Sequence, residues 1–464
     1  MEIGKIRLEG IDVLAVEAVH MEAAMNQHAK LQLVCLIKKE QVPSCVMLTE
    51  SESMMAVWEQ DSVLFCGMVT KAVCKTKKDG TRLYLTLLNG SYLLDREKKS
   101  KSYQDIAMTY QQIAQEKAMT IYAGEDKAIE QLVIQYEETD WEFLTRMSSK
   151  LYTGVYADMR QRECVLYWGM DETQAINKEP ITEYFVEKDM DYHKNCEKNT
   201  THSHAMLDST LYSFESEELF RIGDAVMIGG QKVYIVEMQG DMEQATWRGR
   251  YKAKTKAGIC FLPKLRLDMP GTALEGTVIE VSKDQVKVHL AIDKEQDKEK
   301  AYWFPFSAME ASSDGSGWYY MPELGDCVKV CIPSWEEKEA FAVSAVSTYE
   351  GTGGEPDLME NTDVMYMRNP SGKQMQLSPN QIQADAGAGK SIFVMDNEGN
   401  IDLYAEQIVS MEATEMIELI AGDTLDICAA KTLQVKADMT GEIMMNEDGE
   451  LQHLGGHVNI NSEE

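Results

Sequence analysis

An eight-residue repeat near the C-terminal end restricts the fold of this chain more than any other feature. Five consecutive units read IDLYAEQI, VSMEATEM, IELIAGDT, LDICAAKT and LQVKADMT. Apolar residues occupy the first, third and fifth positions of every unit, which places one face of an extended strand against a core. The predicted core positions are Ile401, Leu403, Ala405, Val409, Met411, Ala413, Ile417, Leu419, Ala421, Leu425, Ile427, Ala429, Leu433, Val435 and Ala437.

The period of the repeat separates three possible architectures. Helical seams repeat in seven or eleven residues, so a strict period of eight with alternating polarity disfavours a helix. A single-chain β-helix is built from hexapeptide or nonapeptide units, and its GGxGxD calcium signature is absent from this sequence. Eight residues can cross only one side of a prism, so identical chains must supply the other sides. The repeat therefore predicts a trimeric triangular β-helix, or β-prism, that forms a stiff acidic needle.

The rest of the sequence predicts a mainly β protein with a helical interruption. Alternating apolar residues and glycine-containing turns are typical of strands, as at the hairpin turn from Lys77 to Gly80. Five short strands after Pro263 suit a small closed barrel of the oligonucleotide/oligosaccharide-binding (OB) type. We expect a first β domain (1–95), a helical insert (96–160), a second β domain (161–262), an OB-fold domain (263–348), a connector (349–390), the intertwined needle (391–446) and a tip or tail (447–464).

Two sequence patterns predict helices in the insert. Ser102-x-x-Asp105 resembles a capping box, and Ile106, Tyr110 and Ile113 follow at helical spacing. Thr139-x-x-Glu142 predicts the start of a second helix that ends near Gly154.

Charge and cysteine content exclude several classes of protein. The formal net charge is -32, so the electrostatic field of the molecule repels phosphate backbones, and we expect no nucleic-acid partner. The ten cysteines include no CxxC pair and indicate small buried side chains in a reducing compartment. Asp12 and Glu17 interrupt the N-terminal apolar stretch, so we predict synthesis in the cytosol without a signal peptide.

Two longer motifs resemble the VgrG-type spike proteins of type VI secretion and other contractile injection systems, which are similar to the fused hub and spike of contractile phage tails. The segment QYEETDWEFLTRM, from Gln135 to Met147, matches the QYxExDxxFLxRL segment of that family. The segment WYYMPELGDCVKV, from Trp318 to Val330, resembles its GWxxxPxxGDxVxV stretch. Cys327 stands where an acidic residue is common, and alanine fills the repeat position where phage needles often have glycine.

The resemblance implies a structural role for this chain. Each copy would contribute two barrel-like hub domains, so a homotrimer would have six of them. This pseudo-six-fold arrangement would match the end of a hexameric inner tube. The implied partners are this tube, baseplate components, a PAAR-type tip protein, effector cargo and, transiently, the target membrane. Assembly in the cytoplasm would be followed by export or injection through sheath contraction.

Catalytic and cofactor-binding patterns are weak, and we predict no enzyme activity and no cofactor. Neither HExxH nor GxSxG occurs, and too few residues separate the predicted barrel and needle for a glycosidase. Gly387 to Ser391 imitates the end of a phosphate-binding loop but is better explained as a turn, because strand-like residues follow. Two alternative functions stay open: an enzyme-bearing phage-type tail spike, and a tail-tip adhesin that binds glycans.

Histidines and one basic run are the remaining candidate sites. We predict no metal site; His453 and His457 are weak candidates, because a three-fold axis would bring six imidazoles together near the end of the needle. His202 and His204 are interpreted as part of a polar loop. The run from Arg96 to Lys101 predicts a solvated turn or, alternatively, a contact with a neighbouring chain or the tube.

Overall fold

The computed structural model divides into two compact units, Met1–Ser347 and Thr348–Glu464. Antiparallel sheets predominate in both units, so the mainly β prediction is confirmed. The structure describes residues 3–50, 54–122, 126–171, 176, 180–188, 190–199, 208–243, 246–308, 319–344, 359–387, 389–437 and 441–457.

The first unit begins with long strands whose residues alternate between buried and accessible positions, as a sheet with one covered face requires. The predicted hairpin turn is confirmed, because Lys77 pairs with Gly80 across a two-residue loop. A 3-10 helix, Gly90–Asp95, follows these strands. The elements are β1 (Ile6–Leu8), β2 (Val13–Ala24), β3 (Lys30–Ile37), α1 (Val42–Met47), β4 (Met54–Glu59), β5 (Ser62–Lys77) and β6 (Gly80–Asn89).

The insert contains two helices with buried residues and several short strands. Its second helix begins where the sequence predicts, because the Thr139 hydroxyl accepts a hydrogen bond from the Glu142 amide and the Glu142 carboxylate accepts one from the Thr139 amide. The elements are β7 (Lys98–Tyr103), α2 (Tyr110–Lys117), β8 (Met119–Tyr122), β9 (Val133–Thr139), α3 (Asp140–Lys150), β10 (Val155–Ala157) and β11 (Val165–Trp168).

The predicted start of the first helix is wrong. Ser102 belongs to strand β7, which pairs with β9, and the carboxylate of Asp105 accepts the Ala107 amide in a short turn. Helix α2 is capped by Thr109, seven residues after Ser102, and Thr109 and Gln112 form a reciprocal capping box. Pairing with a distant strand therefore overrides a local signal that looked like a helix cap.

The two predicted β domains share a single large sheet. Strand β2 pairs with β15 through Val19–Ala24 and Glu237–Met242, which joins the N-terminal strands to those after the insert. The strand order is β1-β4-β5-β6-β3-β2-β15-β16-β13-β12, with β14 paired to β15, and one hydrophobic cluster contains residues from both halves. The elements of the second half are β12 (Phe185–Lys188), α4 (Met190–Asn199), β13 (Thr210–Ser216), β14 (Ala225–Ile228), β15 (Gln231–Glu243) and β16 (Thr246–Lys254).

A small five-stranded sheet follows in the same unit. Its order is β19-β18-β17-β20-β21, and an isolated parallel bridge between Phe306 and Ala342 joins the two ends of that order. A turn at Lys283 and Asp284 connects its first two strands. The strands are β17 (Ala273–Ser282), β18 (Gln285–Leu290), β19 (Trp303–Pro305), β20 (Cys327–Cys331) and β21 (Phe341–Ser344).

The second unit contains two antiparallel meanders. The first one runs from residue 365 to residue 405 and crosses the predicted boundary at 390 between connector and needle. The second one follows the fourth unit of the repeat. The strands are β22 (Met365–Arg368), β23 (Gln374–Leu377), β24 (Gln381–Asp385), β25 (Ser391–Asp396), β26 (Ile401–Ala405), β27 (Leu433–Ala437), β28 (Gly441–Met445) and β29 (Leu451–Leu454).

Candidate assembly interface

The apolar residues of the repeat lie on the surface of a single copy of the chain. Strands β26 and β27 carry the first and fifth units, and residues 406–432 between them form neither helix nor strand. Between 51% and 65% of the residue surface remains accessible at Ile401, Leu403, Val409, Met411, Ile417, Leu419, Leu425, Ile427 and Val435.

The remaining predicted core residues of known exposure are exposed or half-buried. Ala413, Ala421 and Ala429 are exposed, whereas Ala405 and Leu433 are half-buried. The side chain of Ala437 lies outside the described residues.

Exposure on this scale has a large free-energy consequence. Each Leu-sized side chain left in water forgoes about 1.5–3 kcal/mol of burial free energy. Monomeric proteins seldom expose a contiguous apolar surface of this extent, and larger patches usually mark an interface. We therefore take the exposed apolar positions of residues 401–437, called here the repeat strip, as the candidate assembly interface.

The family-like segment around Arg146 lies in the interior of the first unit. The side chains of Arg146, Glu138 and Glu337 are each 6% exposed or less. Arg146 donates from Nε and Nη2 to the Glu138 carboxylate at 3.0 and 2.9 Å, and from Nη1 to Glu337 Oε1 at 2.8 Å. Lys150 Nζ donates to the other Glu337 oxygen at 2.9 Å. Helix α3 is thus linked by ion pairs to the 3-10 turn that precedes strand β21.

The electrostatics of this network favour the charged forms of Arg146 and Glu337, whereas burial lowers the pKa of Lys150. Burial opposes ionisation of Glu337, but the nearby Lys150 and Arg146 outweigh that effect and lower the pKa of its carboxyl group. A second buried carboxylate, Asp140, also has a lowered pKa, because hydrogen bonds from Lys99 and Lys117 overcome its burial. Buried charges that are paired in this way are typical of structural cross-links.

Alternating side chains of strand β9 belong to two different cores. Val133 packs in the insert core, and its neighbour Ile134 packs in the core of the small sheet with Val288 and Phe304. Strand β9, which leads into the segment that resembles the VgrG family, therefore joins the insert to the small sheet. Sequence reasoning missed Glu337, which is 191 residues away from its partner Arg146 and follows no local pattern.

A Ser–His–Asp cluster in the first unit has the composition of a catalytic triad but no access to substrate. His28 Nδ1 lies 2.8 Å from Ser91 Oγ, and His28 Nε2 lies 3.1 Å from Asp95 Oδ2. Ser91 is fully buried, and its hydroxyl donates to Asn89 Oδ1 at 2.8 Å. The His28 ring packs against Trp141 with 4.8 Å between ring centroids. A nucleophile must be accessible to its substrate, so this cluster is a structural hydrogen-bond network.

The described residues of the phosphate-loop imitation, Gly387, Gly389 and Lys390, lie in a turn between strands β24 and β25, with a hydrogen bond from the Lys390 amide to the Gly387 carbonyl. The Gly387 and Gly389 amides donate to the carboxylate of Asp385 at 2.9 and 3.1 Å. These amides cannot bind a phosphate while they donate hydrogen bonds to Asp385. A strand rather than a helix follows them. The interpretation as a turn is confirmed.

The prediction of a solvated turn at 96–101 is wrong, because most of this basic run belongs to strand β7. Lys99 Nζ lies 2.6 Å from an Asp140 carboxylate oxygen, and Lys101 Nζ lies 2.7 Å from Glu116. Ion pairs within the insert thus neutralise two of its charges.

The histidine candidates give no metal centre within one copy. His453 lies on strand β29 and pairs in register with Ile443, and His457 follows that strand. His202 and His204 lie outside the described residues. Within the described ranges, no three His, Cys, Asp or Glu side chains are grouped closely enough to hold a metal ion. All ten cysteines belong to the described residues and are free thiols.

Comparison with known proteins relies on structure alone, because no family model and no curated protein sequence matches the chain. The Escherichia coli c3393 protein is a type VI secretion component described as similar to the T4 bacteriophage tail proteins gp27 and gp5. It aligns with a TM-score of 0.53 and 13% identity over 73% of this chain and 99% of that chain. The lidless PdpA–VgrG complex aligns with a TM-score of 0.51 and 8% identity over 84% of this chain and 93% of that chain. The fold is that of the VgrG-type spike proteins.

A further VgrG-type structure agrees with this identification. The half-lidded Francisella PdpA–VgrG complex has a TM-score of 0.50 and 7% identity over 86% of this chain and 87% of that chain. At such low identity the likeness establishes the fold, and the resemblance stated from the sequence motifs is confirmed at that level. Trp318, which begins the second motif, lies outside the described residues. None of the helices in the described part of the chain is both long and apolar enough to cross a bilayer.

Proposed function

We propose that three copies of this chain form the central spike of a contractile injection machine of the type VI secretion kind. The repeat strip carries the proposal, because one copy leaves these side chains exposed and they recur every eight residues along the chain. Two further copies bury the repeat strip around a three-fold axis and leave the charged positions outside. The product is a stiff acidic needle with no lateral sheet edge.

The architecture of the first unit supports the role of a hub. Its large sheet joins two β halves, and three copies supply six such halves to match a hexameric inner tube. The order of the small sheet, together with the bridge between Phe306 and Ala342, supports an OB-type barrel. The buried Arg146 network fixes the insert to this barrel, as a part that transmits force requires.

We propose a mechanical rather than a catalytic function. The needle punctures the target membrane when the sheath contracts and carries effectors, with a PAAR-type protein on its tip. Assembly on the baseplate takes place in the cytoplasm, and export needs no signal peptide. A structural neighbour that is itself a PdpA–VgrG complex supports a spike with associated partner proteins.

An export experiment in the native host tests this function. The chain is deleted and replaced by wild type, by Leu419→Asp, or by the matched control Ile420→Asp, whose side chain is predicted to point outward. Wild type and Ile420→Asp should appear outside intact cells only when the sheath protein is present, whereas Leu419→Asp should stay inside. Export of all three chains without a sheath would contradict the proposal.

A further inference from the structure

Four of the cysteines of the first unit form two pairs of thiols in contact. The Cys45 and Cys74 side chains are hydrogen-bonded to each other, and so are the Cys196 and Cys260 side chains. None of the four is part of a disulfide in this structure. The proposed mechanical function uses neither pair.

The first pair lies between a short helix and the large sheet. Cys45 is on helix α1, which packs against strand β5, and Cys74 is on that strand. Cys45 is buried, whereas Cys74 is half-buried and packs against the hydrophobic cluster that contains Cys45. A reagent in solution therefore reaches Cys74 more readily than its partner.

The register of the sheet excludes a neighbouring thiol, Cys35, as a partner for Cys74. Leu83 on strand β6 pairs with Cys35 on one side and with Cys74 on the other, so a whole strand separates the two thiols. Strands lie about 4.8 Å apart, which puts these Cα atoms roughly 10 Å from each other. A disulfide cannot join Cα atoms that are more than about 7 Å apart. Cys35 is also fully buried.

The second pair has a similar arrangement in the other half of the large sheet. Cys196 is on helix α4, and Cys260 is in the segment that follows strand β16. Both residues are buried. In each pair a thiol on a short helix thus contacts a thiol on a strand or in the segment that follows one.

Burial determines how readily these thiols react. It raises the pKa of the Cys45 and Cys74 thiols, and burial together with the neighbouring Cys196 raises the pKa of Cys260 to about 12. The thiolate is the form that attacks a disulfide, so the reaction is slow at neutral pH. In a reducing cytoplasm both pairs therefore stay reduced.

We propose that Cys45–Cys74 and Cys196–Cys260 are two oxidation sites, each of which closes to an intramolecular disulfide when the chain meets an organic disulfide outside the reducing cytoplasm. One cysteine thiolate attacks the oxidant, forms a mixed disulfide and releases one small thiol. Its partner then loses a proton, attacks the mixed disulfide and releases the second small thiol. The chain loses two hydrogen atoms per disulfide, and the oxidant is reduced to two thiols.

The two disulfides would hold both helices on the sheet. Cys45–Cys74 would close a loop around β4, and Cys196–Cys260 would close a loop that contains β13 to β16. A cross-link of this kind restricts the unfolded chain and thereby favours the folded one. The inference goes beyond the proposed function: export supplies the oxidising surroundings, but the chemistry does not depend on a trimer.

Peptide mapping of the full-length chain after oxidation tests the two pairings. Cys327→Ser and Cys428→Ser first remove the two exposed thiols. The chain is then treated with oxidised glutathione at about pH 8, and N-ethylmaleimide blocks the remaining thiols. We expect linked peptides for Cys45–Cys74 and Cys196–Cys260 alone. The urea-unfolded chain should instead give a mixture of pairings, because the native contacts no longer select partners. The same mixture with and without urea, or persistent glutathione adducts in place of linked peptides, would overturn the inference.

Single substitutions identify the partners within each pair. Cys74→Ser should abolish the first linked peptide, whereas Cys35→Ser should leave its yield unchanged. Cys260→Ser should abolish the second one. Cys164→Ser is its control, because burial alone acts on the Cys164 thiol. Loss of the first linked peptide in Cys35→Ser would overturn the assigned pairing.

Denaturant unfolding of the wild type and its oligomeric state complete the test. The oxidised chain should unfold at a higher denaturant concentration than the reduced chain, and equal midpoints would contradict the predicted cross-linking effect. A trimer that forms neither disulfide defeats this inference and leaves the spike intact. A monomer that forms both disulfides defeats the spike alone.

Discussion

Arg146 on helix α3 and Glu337 beside strand β21 form a buried ion pair with 2.8 Å between Nη1 and Oε1. Arg146 also forms an ion pair with Glu138, so one guanidinium group pairs with two carboxylates. Removing one partner of such a group leaves uncompensated buried charge, which is far more costly than losing a surface pair.

Arg146→Met should therefore lower the free energy of unfolding of the first unit by about 3–5 kcal/mol. Denaturant unfolding followed by tryptophan fluorescence measures the change. Arg250→Met is the matched control, because Arg250 pairs with Asp241 at 3.4 Å on the exposed surface and should cost less than about 1 kcal/mol. Equal losses in the two variants would show that the buried network is not a structural cross-link.

His28 should make the stability of the first unit depend on pH. Burial lowers the pKa of its imidazole below the usual value of 6.5, against the opposing effect of Asp95. The unfolded chain binds a proton near pH 6.5 and the folded chain resists it, so stability falls as the pH drops from 6.5 through the lower folded pKa. Between about pH 7.5 and about pH 5.5, wild type should lose more unfolding free energy than His28→Gln. Identical pH slopes for the two proteins would refute this prediction.

The direction of side chains in the repeat can be tested with two adjacent residues. Leu419 and Ile420 are both exposed in one copy, at 56% and 82%, but only Leu419 occupies a predicted core position. Leu419→Asp should dissociate the trimer, because three carboxylates meet on the axis, whereas Ile420→Asp should leave it intact. Sedimentation velocity reports the two masses directly. Dissociation by Ile420→Asp alone would reverse the assigned faces of the strand.

The Ser91 cluster gives a test of the non-enzymatic interpretation. Ser91 is fully buried, so a fluorophosphonate probe should leave it unlabelled in the folded chain. Intact-protein mass spectrometry measures labelling, and Ser91→Ala is the control. Stoichiometric labelling that Ser91→Ala abolishes would favour the alternative of an enzyme-bearing spike.

Local signals in the sequence predicted local structure well. The capping box at Thr139 gave the start of α3, and the loop after Lys77 gave the β5–β6 hairpin, because the deciding contacts lie within a few residues. The helix start predicted at Ser102 was wrong because the deciding contact there is a distant one. Its strand pairs with β9, about 30 residues away, and no local pattern reports that pairing.

Long-range relationships could not be read from the sequence. The pairing of β2 with β15 joins segments on either side of the whole insert, so the two β domains looked separate. Met365, Met375 and their neighbours alternate with polar residues, as strands do, but Met and Gln are not among the residues enriched in strands, and the nearby Gly and Pro residues suggested a connector. The apolar positions of the repeat could be predicted because a strict period needs no knowledge of distant partners.

The mass of the purified wild-type chain in solution tests the central claim most directly. Size-exclusion chromatography with light scattering should give three copies of 52.4 kDa, about 157 kDa. A stable species of 52.4 kDa whose 401–437 segment resists proteolysis would contradict the account, because a single copy would then cover its own apolar strip.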